Sequence, residues 1–299
     1  MKATWREIGR LAWRDIETQT VHPLSAGSGL VAAAGALWVA ADDMHHVVRL
    51  PENGDLIGDG YRIFPGDLPE DAKERKRVKP DTECLIALET NGADGILLAL
   101  PSGSKRHRVR GAEIQVREGV VRASREIDLS PLLKSLDEEI PDLNIEGGAI
   151  MGDKVVLLQR GNGKAGFNAL IEFDLDRLGA WLHGGDGRRF KPRIAEMRLP
   201  KMGGVRLTFT DAAVHEGALY FAAAAEGGDS TYDDGKIIGS AIGRIDKEPD
   251  ILIEIEGQKV EGLAHASSDA DRLTFFAVTD ADDPARASSL LEIGMARFR

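Results

Sequence analysis

The sequence predicts an all-β protein: a five-bladed β-propeller whose blades are mostly four-stranded and antiparallel. Three observations carry this. A short stretch recurs, in which a small or acidic residue precedes Gly, Ala or Cys and an apolar run. Its copies are Ser28-Gly29-Leu30, Thr82-Glu83-Cys84-Leu85, Ile145-Glu146-Gly147-Gly148, Thr210-Asp211-Ala212-Ala213 and Val260-Glu261-Gly262-Leu263. After each copy the chain repeats one plan: an apolar strand, a polar loop, a second apolar strand. The starts near 28, 83, 146, 211 and 261 are spaced a little more widely than the roughly 40–50 residues of other propeller repeats. Long outer connections account for the excess, and neither a WD nor a kelch signature is present.

The elements follow in order. Residues 1–23 hold Trp5-Arg6-Glu7-Ile8-Gly9-Arg10-Leu11, an alternating pattern before the first repeat, which predicts an N-terminal strand that completes the last blade and closes the ring. In repeat one, Leu37–Ala41 and Val47–Leu50 are strands, Asn53-Gly54 signals a hairpin turn, and Tyr61–Phe64 forms an outer strand. Residues 67–80 read as a solvated charged connection. Repeat two has strands at Ile96–Leu100, Ala112–Val116 and Val120–Ile127. A short helix follows over 130–139, with Ser130 as N-cap and Pro131 in its first turn. Repeat three has Val155–Gln159 and Asn168–Phe173. Repeat four has Leu219–Ala224 and Ser240–Ile245, and repeat five has Leu273–Val278 and Ser288–Ile293. Gly35-Ala36-Leu37-Trp38 and Gly217-Ala218-Leu219-Tyr220 match as turns between first and second strands. The 299 residues are read as one propeller domain.

Composition narrows the function. A net charge of −11 argues against nucleic acid or an anionic membrane as main partner, because both require a positive field. Cys84 is the one cysteine, so no intrachain disulfide forms, and its apolar strand predicts a buried, inert thiol. Residues 1–14 lack an apolar signal region, and Gly27, Ser28, Gly29 and Gly35 interrupt the longest apolar run. The expected location is the cytoplasm.

In a propeller, the starts of the innermost strands and the loops between second and third strands converge on one end of the channel. The first family supplies Glu83, Glu146, Asp211 and Glu261, with Ser28 in the fifth place. The second supplies Asp42, Asp43, His45 and His46; Ser102 and Ser104; Arg160 and Asn162; Asp229 and Tyr232; Asp280 and Asp282. Carboxylates this close need compensation. Calcium, which takes six to eight oxygen ligands, is one solution, with Glu83, Glu146, Asp211 and Glu261 as its ligands. Arg160 or Arg106 bridging neighbouring carboxylates is the other. A third reading has the acidic residues accept backbone N–H groups from the next blade, with no ligand. His45 and His46 are adjacent on a strand, so at most one faces the channel. No zinc motif, P-loop or GxSxG elbow is present, and Asp280-Ala281-Asp282-Asp283 lacks the Gly and distal Glu of an EF-hand loop.

Lys79-Pro80-Asp81-Thr82-Glu83, Asn144-Ile145-Glu146-Gly147, Gln159-Arg160-Gly161-Asn162 and Lys259-Val260-Glu261-Gly262-Leu263 together resemble an uncharacterised bacterial five-bladed propeller family. That family is similar to the phytase-like proteins and those with esterase-like activity of phytase. The resemblance implies a propeller that holds calcium and acts on a phosphate or ester, with Lys105, Arg106, Arg160 and Lys164 as candidates for the phosphate pocket.

Two functions are carried forward. In the first, a metal-dependent hydrolase of an ester, lactone or phosphoester acts at the channel mouth. There the glutamates hold the cation, Arg160 the substrate's anionic group, Asp42 or Asp280 is the general base, and Ser102, Arg106, Asn162, Asn168 and Tyr232 contact the ligand. In the second, the channel binds a small molecule or a protein without catalysis. A glycosidase, with paired carboxylates about 5 Å or 6.5–9.5 Å apart, is a further possibility. The 5% aromatic content argues against it, since Trp38, Tyr220 and Phe276 read as core.

Overall fold

Each recurrent stretch begins the innermost strand of a blade, and the second strand runs back beside it. Those second strands are apolar at nearly every position because each blade is covered on both faces. In blade 2, Leu97 and Ala99 pack towards blade 1 while Leu98 and Leu100 pack towards blade 3. In blade 3, Val155 and Leu157 face blade 2, and Val156 and Leu158 face blade 4. The core is therefore a set of five apolar clusters, one at each blade interface.

The computed structural model describes residues 3–51, 55–185, 191–227, 237–281, 283 and 285–297. Asn53, Gly54, Asp229, Tyr232 and Asp282 lie outside these. Blade 1 runs outward as Gly27–Ala33, Ala36–Ala41, His46–Leu50 and Ile57–Arg62. Blade 2 is Thr82–Asn91, Asp94–Pro101, Arg110–Arg117 and Val120–Asp128. Blade 3 is Ile145–Met151, Lys154–Gln159, Ala169–Asp174 and Arg193–Glu196. Blade 4 is Thr208–His215, Ala218–Glu226, Ile237–Ile245 and Pro249–Glu256. Blade 5 is Val260–Ser268, Arg272–Thr279 and Ser289–Ala296, with Thr4–Arg10 as its fourth strand. A two-stranded hairpin, Lys201–Met202 and Val205–Arg206, lies between blades 3 and 4. No helix of the described residues is long and apolar enough to cross a membrane.

The N-terminal strand closes the ring, from Thr4 opposite Gly294 to Arg10 opposite Ser289. It accounts for only part of residues 1–23. After buried Leu11 the chain crosses to blade 1, where Ala12–Asp15 pairs parallel with Ile57–Arg62 and Val21–Pro23 adds an edge strand. One segment thus straddles the seam between blades 5 and 1. The two matched turns are as expected: Ala34-Gly35 and Glu216-Gly217 all have positive φ, the geometry of a type I′ hairpin.

Among the described residues three helices interrupt the pattern. The charged connection is not fully solvated coil: Ala72–Val78 is helical, capped by the Asp71 carboxylate, which accepts from the N–H groups of Lys73 and Glu74. Ser130–Asp137 is helical with Leu129, not Ser130, at the N-cap and no side-chain cap bond. Leu175–Leu182 is a helix absent from the sequence reading, burying Leu178 and Leu182.

Candidate functional site

At each recurrent stretch the pairing with the second strand slips by one residue. The slips fall between Gly27 and Gly29, Thr82 and Cys84, Ile145 and Gly147, Phe209 and Asp211, and Val260 and Gly262. A bulge of this kind re-aims the extra side chain. The bulged residues are Ser28, Glu83, Glu146, Thr210 and Glu261. The fourth is Thr210, which corrects the assignment of Asp211 to the acidic ring.

Ser28 and Thr210 act as staples: their hydroxyls donate to the carbonyls of Thr82 and Val260, 2.6 and 2.8 Å away on the neighbouring inner strands. Asp211 is one residue deeper and almost wholly buried. It accepts from the backbone N–H of Leu263 at 2.7 Å, Ala212 at 2.7 Å and Leu30 at 3.3 Å. It is an inter-blade staple rather than a metal ligand. The residue after the bulge is Gly in three blades because neighbouring strands nearly touch there: a Cβ on Gly147 lies 2.5 Å from the Asp211 Cα.

That leaves three glutamates facing the channel mouth. The pleat places residues two earlier on the same side, which adds Asp81, Asn144, Thr208 and Lys259. The loop positions beside them are Asp42, Ser102, Arg160 and Asp280. Their backbone N–H groups bond the carbonyls of Ala26, Asp81, Asn144 and Lys259. Together these layers, Ser102 excepted, line a cavity of about 930 Å³.

The charges fall into two networks. In the first, the Arg160 guanidinium donates to Glu146 at 3.2 Å, Glu261 at 3.5 Å, Thr208 at 3.3 Å and Glu226. Lys259 lies 3.0 Å from Glu226 and 3.1 Å from Glu261. Asn144 donates to Glu146 at 2.6 Å and to Asn162 at 3.2 Å. In the second, Lys79 bridges Asp42 and Asp81, the latter at 3.1 Å, and Arg108 reaches Asp81 at 2.7 Å and Ser104 at 2.7 Å. Ser102 donates to Asp81.

Glu83 stands between the networks and belongs to neither. Among the described residues it makes no hydrogen bond or ion pair. Burial, with the charges of Glu146, Asp81 and Asp42, pushes its carboxyl well above the usual range, against the pull of Lys79. Burial also raises Glu146, to about 8, against the pull of Arg160. Glu226 moves the other way: burial opposes it, but Arg160 and Lys259 hold it ionised. The Glu261 Oε2 is buried with no hydrogen-bond partner among the described residues.

The remaining expected site residues are dispersed. Asp42, Arg160, Asn162 and Asp280 line the cavity, and Asp280 lies near Lys259. Arg106 is exposed and outside it, its expected place taken by Arg108. Ser102 is buried behind the wall in the Asp81 network. Asn168 is fully occupied by backbone, accepting from Gly161 and Phe209 and donating to Leu207. Tyr232 lies outside the described residues. Neither histidine faces the channel: His45 packs edge-on against Phe64, and His46 packs against Trp13, where burial lowers its pKa to about 4. Cys84 is buried, as expected.

Asp42, Asp81 and Glu83 each bring an oxygen within 4.8 Å of the others, a set that can hold a cation. The Lys79 ammonium already occupies that ground, and Arg108 takes another Asp81 oxygen. With both bases in place the donor set does not fit calcium. On the other side of the mouth, Arg160 bridges the carboxylates, the arrangement expected as the alternative to a metal, and Lys259 adds a second cation that was not expected.

Fold and site define the class: a five-bladed propeller with a polar, charge-layered cavity at one mouth of its channel. The chain belongs to the Family of unknown function (DUF6929), whose model matches residues 23–295. No curated protein sequence matches it. Among solved structures, it is similar to the tail fibre of Staphylococcus aureus phage P68, at 10% identity and a TM-score of 0.49. That match covers 99% of this chain and 53% of the fibre, so the chain spans about half of the fibre's length. It is similar to a putative gluconolactonase at 9% identity and a TM-score of 0.42, covering 99% of this chain and 93% of the other. It is also similar to an exo-1,5-α-L-arabinanase from a bovine ruminal metagenomic library, at 9% identity and a TM-score of 0.45, covering 93% of this chain and 99% of the other. These likenesses carry no argument about chemistry, and none of these matches carries the phytase-like likeness.

Proposed function

We propose that the channel mouth is a hydrolytic site for a small ester, lactone or phosphoester, with Glu83 as the general acid and Glu146 as its base. One observation carries the reading: Glu83 opens onto the cavity unpaired, with a raised pKa, beside a second carboxyl that is also raised. Coupled carboxyls share a proton. Arg160 forms an ion pair with Glu146, whereas among the described residues no cation forms one with Glu83, so the shared proton rests on Glu83. Glu146 then takes a proton from the attacking water as the new O–C or O–P bond forms. Glu83 delivers its own proton to the leaving oxygen as the old bond breaks, and transfer between the pair restores the start. Arg160 bridges carboxylates instead of holding substrate, and Asp42 is held by Lys79, so neither fills the role expected from sequence. Calcium enters no step.

The test is a screen with p-nitrophenyl acetate, a δ-lactone and p-nitrophenyl phosphate. The Glu83→Gln variant loses about 10²- to 10⁴-fold in kcat/KM on the class that turns over, without a lower melting temperature. The wild-type rate rises with pH through about 8 as Glu146 ionises and falls at higher pH as Glu83 loses its proton. Wild-type turnover by Glu83→Gln, or no turnover of any class, overturns the reading. The pairing of both Arg160 and Asp42 within the protein favours a second reading, a non-catalytic small-molecule receptor. Saturable binding with no product identifies that case.

A further inference from the structure

We infer that the ligand of this cavity is a small polyhydroxylated anion without an aromatic ring, such as a sugar acid or sugar phosphate, bound with its hydroxyls down and its anionic group at the rim. The inference rests on the hydrolytic reading only for the site it names. The lining contains as many basic as acidic side chains, although the whole chain carries −11. The two kinds are not mixed evenly. The deep layer is acidic in excess, whereas the exposed rim carries Lys76, Lys164, Lys201 and Arg206 against Asp137 and Asp142. Lys164 and Lys201 make no ion pair among the described residues. Arg206 of the short hairpin donates to Gly166 at 2.9 Å, which draws the blade 3 loop and the hairpin into one basic lip.

The floor has the opposite chemistry. Glu83 carries the proton and can donate. The Glu261 Oε2, on a residue only 3% exposed that lines the cavity, is a buried acceptor without a hydrogen-bond partner among the described residues. A buried orphan of this kind calls for a donor from the ligand. Thr208, Ser28 and Ser104 add hydroxyls, and Asn144 and Asn162 add amides. A sugar hydroxyl donates and accepts, so a ligand with several hydroxyls suits both kinds of group on this floor. Among the described lining residues none is aromatic and only Leu143 and Val205 are apolar, which leaves nothing for a nucleobase or lipid tail to stack on or bury against.

The probes are D-gluconate, D-glucose 6-phosphate, D-glucose and inorganic phosphate, titrated calorimetrically into the full chain. At least one of the two anionic sugars binds ten-fold or more tightly than glucose and than phosphate, and the carboxylate and phosphate arms decide between the two anions. Lys164→Glu with Lys201→Glu, both exposed, reduces that affinity at least ten-fold at an unchanged melting temperature. Equal or weaker binding of both anionic sugars than of glucose overturns the inference, as does an unaffected double variant. If the anionic sugars fail while Glu83→Gln still abolishes ester turnover, the ligand class falls and the hydrolase stands. If they bind but neither gluconolactone nor glucose 6-phosphate is hydrolysed, the class stands and hydrolysis falls.

Discussion

Replacing Arg160 by Met keeps a long side chain and removes the charge that three carboxylates share. In the wild type the guanidinium reaches Glu146, Glu226 and Glu261, while Lys259 reaches only the last two. Breaking a buried ion pair from one side costs roughly 3–5 kcal/mol, because a charge is left without compensation. The cost here depends on pH, and its sign is fixed. Burial raises the folded-state pKa of Glu261 above its unfolded value, even with Lys259 and Arg160 pulling it down. A carboxyl raised in this way contributes stability that falls as pH rises from its unfolded pKa through its folded one. Without Arg160 that folded pKa rises further. Glu146 already keeps its proton to about pH 8 in the wild type, so the variant retains an additional one on Glu261. Each pH unit over which it does so costs about 1.4 kcal/mol. Between pH 5.5 and pH 8 the deficit therefore grows, and in a chain of 299 residues each added kcal/mol lowers the melting temperature by roughly 2 °C. Thermal melts of wild type and variant at both pH values measure it. Equal deficits at the two pH values, or less than about 1 kcal/mol at pH 8, refute the reasoning. Adding Glu261→Gln to the variant recovers part of the pH 8 loss.

Gly147→Ala places a Cβ 2.5 Å from the Asp211 Cα and 2.8 Å from the Ala212 nitrogen, atoms that cannot move without parting blades 3 and 4. Urea unfolding shows a loss of about 3 kcal/mol, against about 1–2 kcal/mol for Gly152→Ala, which has positive φ but open space around it. Glu83→Gln removes a carboxyl that folding forces to hold its proton, so the variant melts above the wild type at pH 8 and the difference shrinks towards pH 5; a lower melt at pH 8 contradicts the unpaired placement. Asp211→Ala strands the N–H groups of Leu30 and Leu263 and costs about 1–3 kcal/mol for each in urea unfolding, while Asp211→Asn retains an acceptor and costs less.

The blade count and the closing strand were legible because both are written in period-two alternation and a repeated start. What the repeat could not reveal was the one-residue slip in each copy. Thr210 and Asp211 are both polar, and only the strand register shows which one is bulged. Asp81, Asn144 and Lys259 were visible in principle, two residues before each glutamate, where pleating puts them on the same face. Lys79 and Arg108 were not, since they arrive from a helix end and a loop whose course no local pattern dictates. The helix at Leu175–Leu182 had the spacing of Leu175, Leu178 and Leu182 in its favour, but its position within a repeat of strands masked it.

The segment that straddles the seam also sets a timetable. Arg10 pairs with Ser289, so the strand Thr4–Arg10 has no partner until Ser289–Ala296 has been translated. During synthesis Thr4–Arg10 therefore waits for its neighbour, and the blades between them must stack as an open arc. That arc leaves apolar faces uncovered at both ends: Leu30, Val39 and Val48 on one side, Ala264, Val278 and Leu290 on the other. Leu11, between the two pairings made by the N-terminal segment, is a latch that engages only when the arc becomes a ring. A nascent or C-terminally truncated chain is therefore an aggregation-prone species, and its solubility in the cell depends on how quickly its two ends meet.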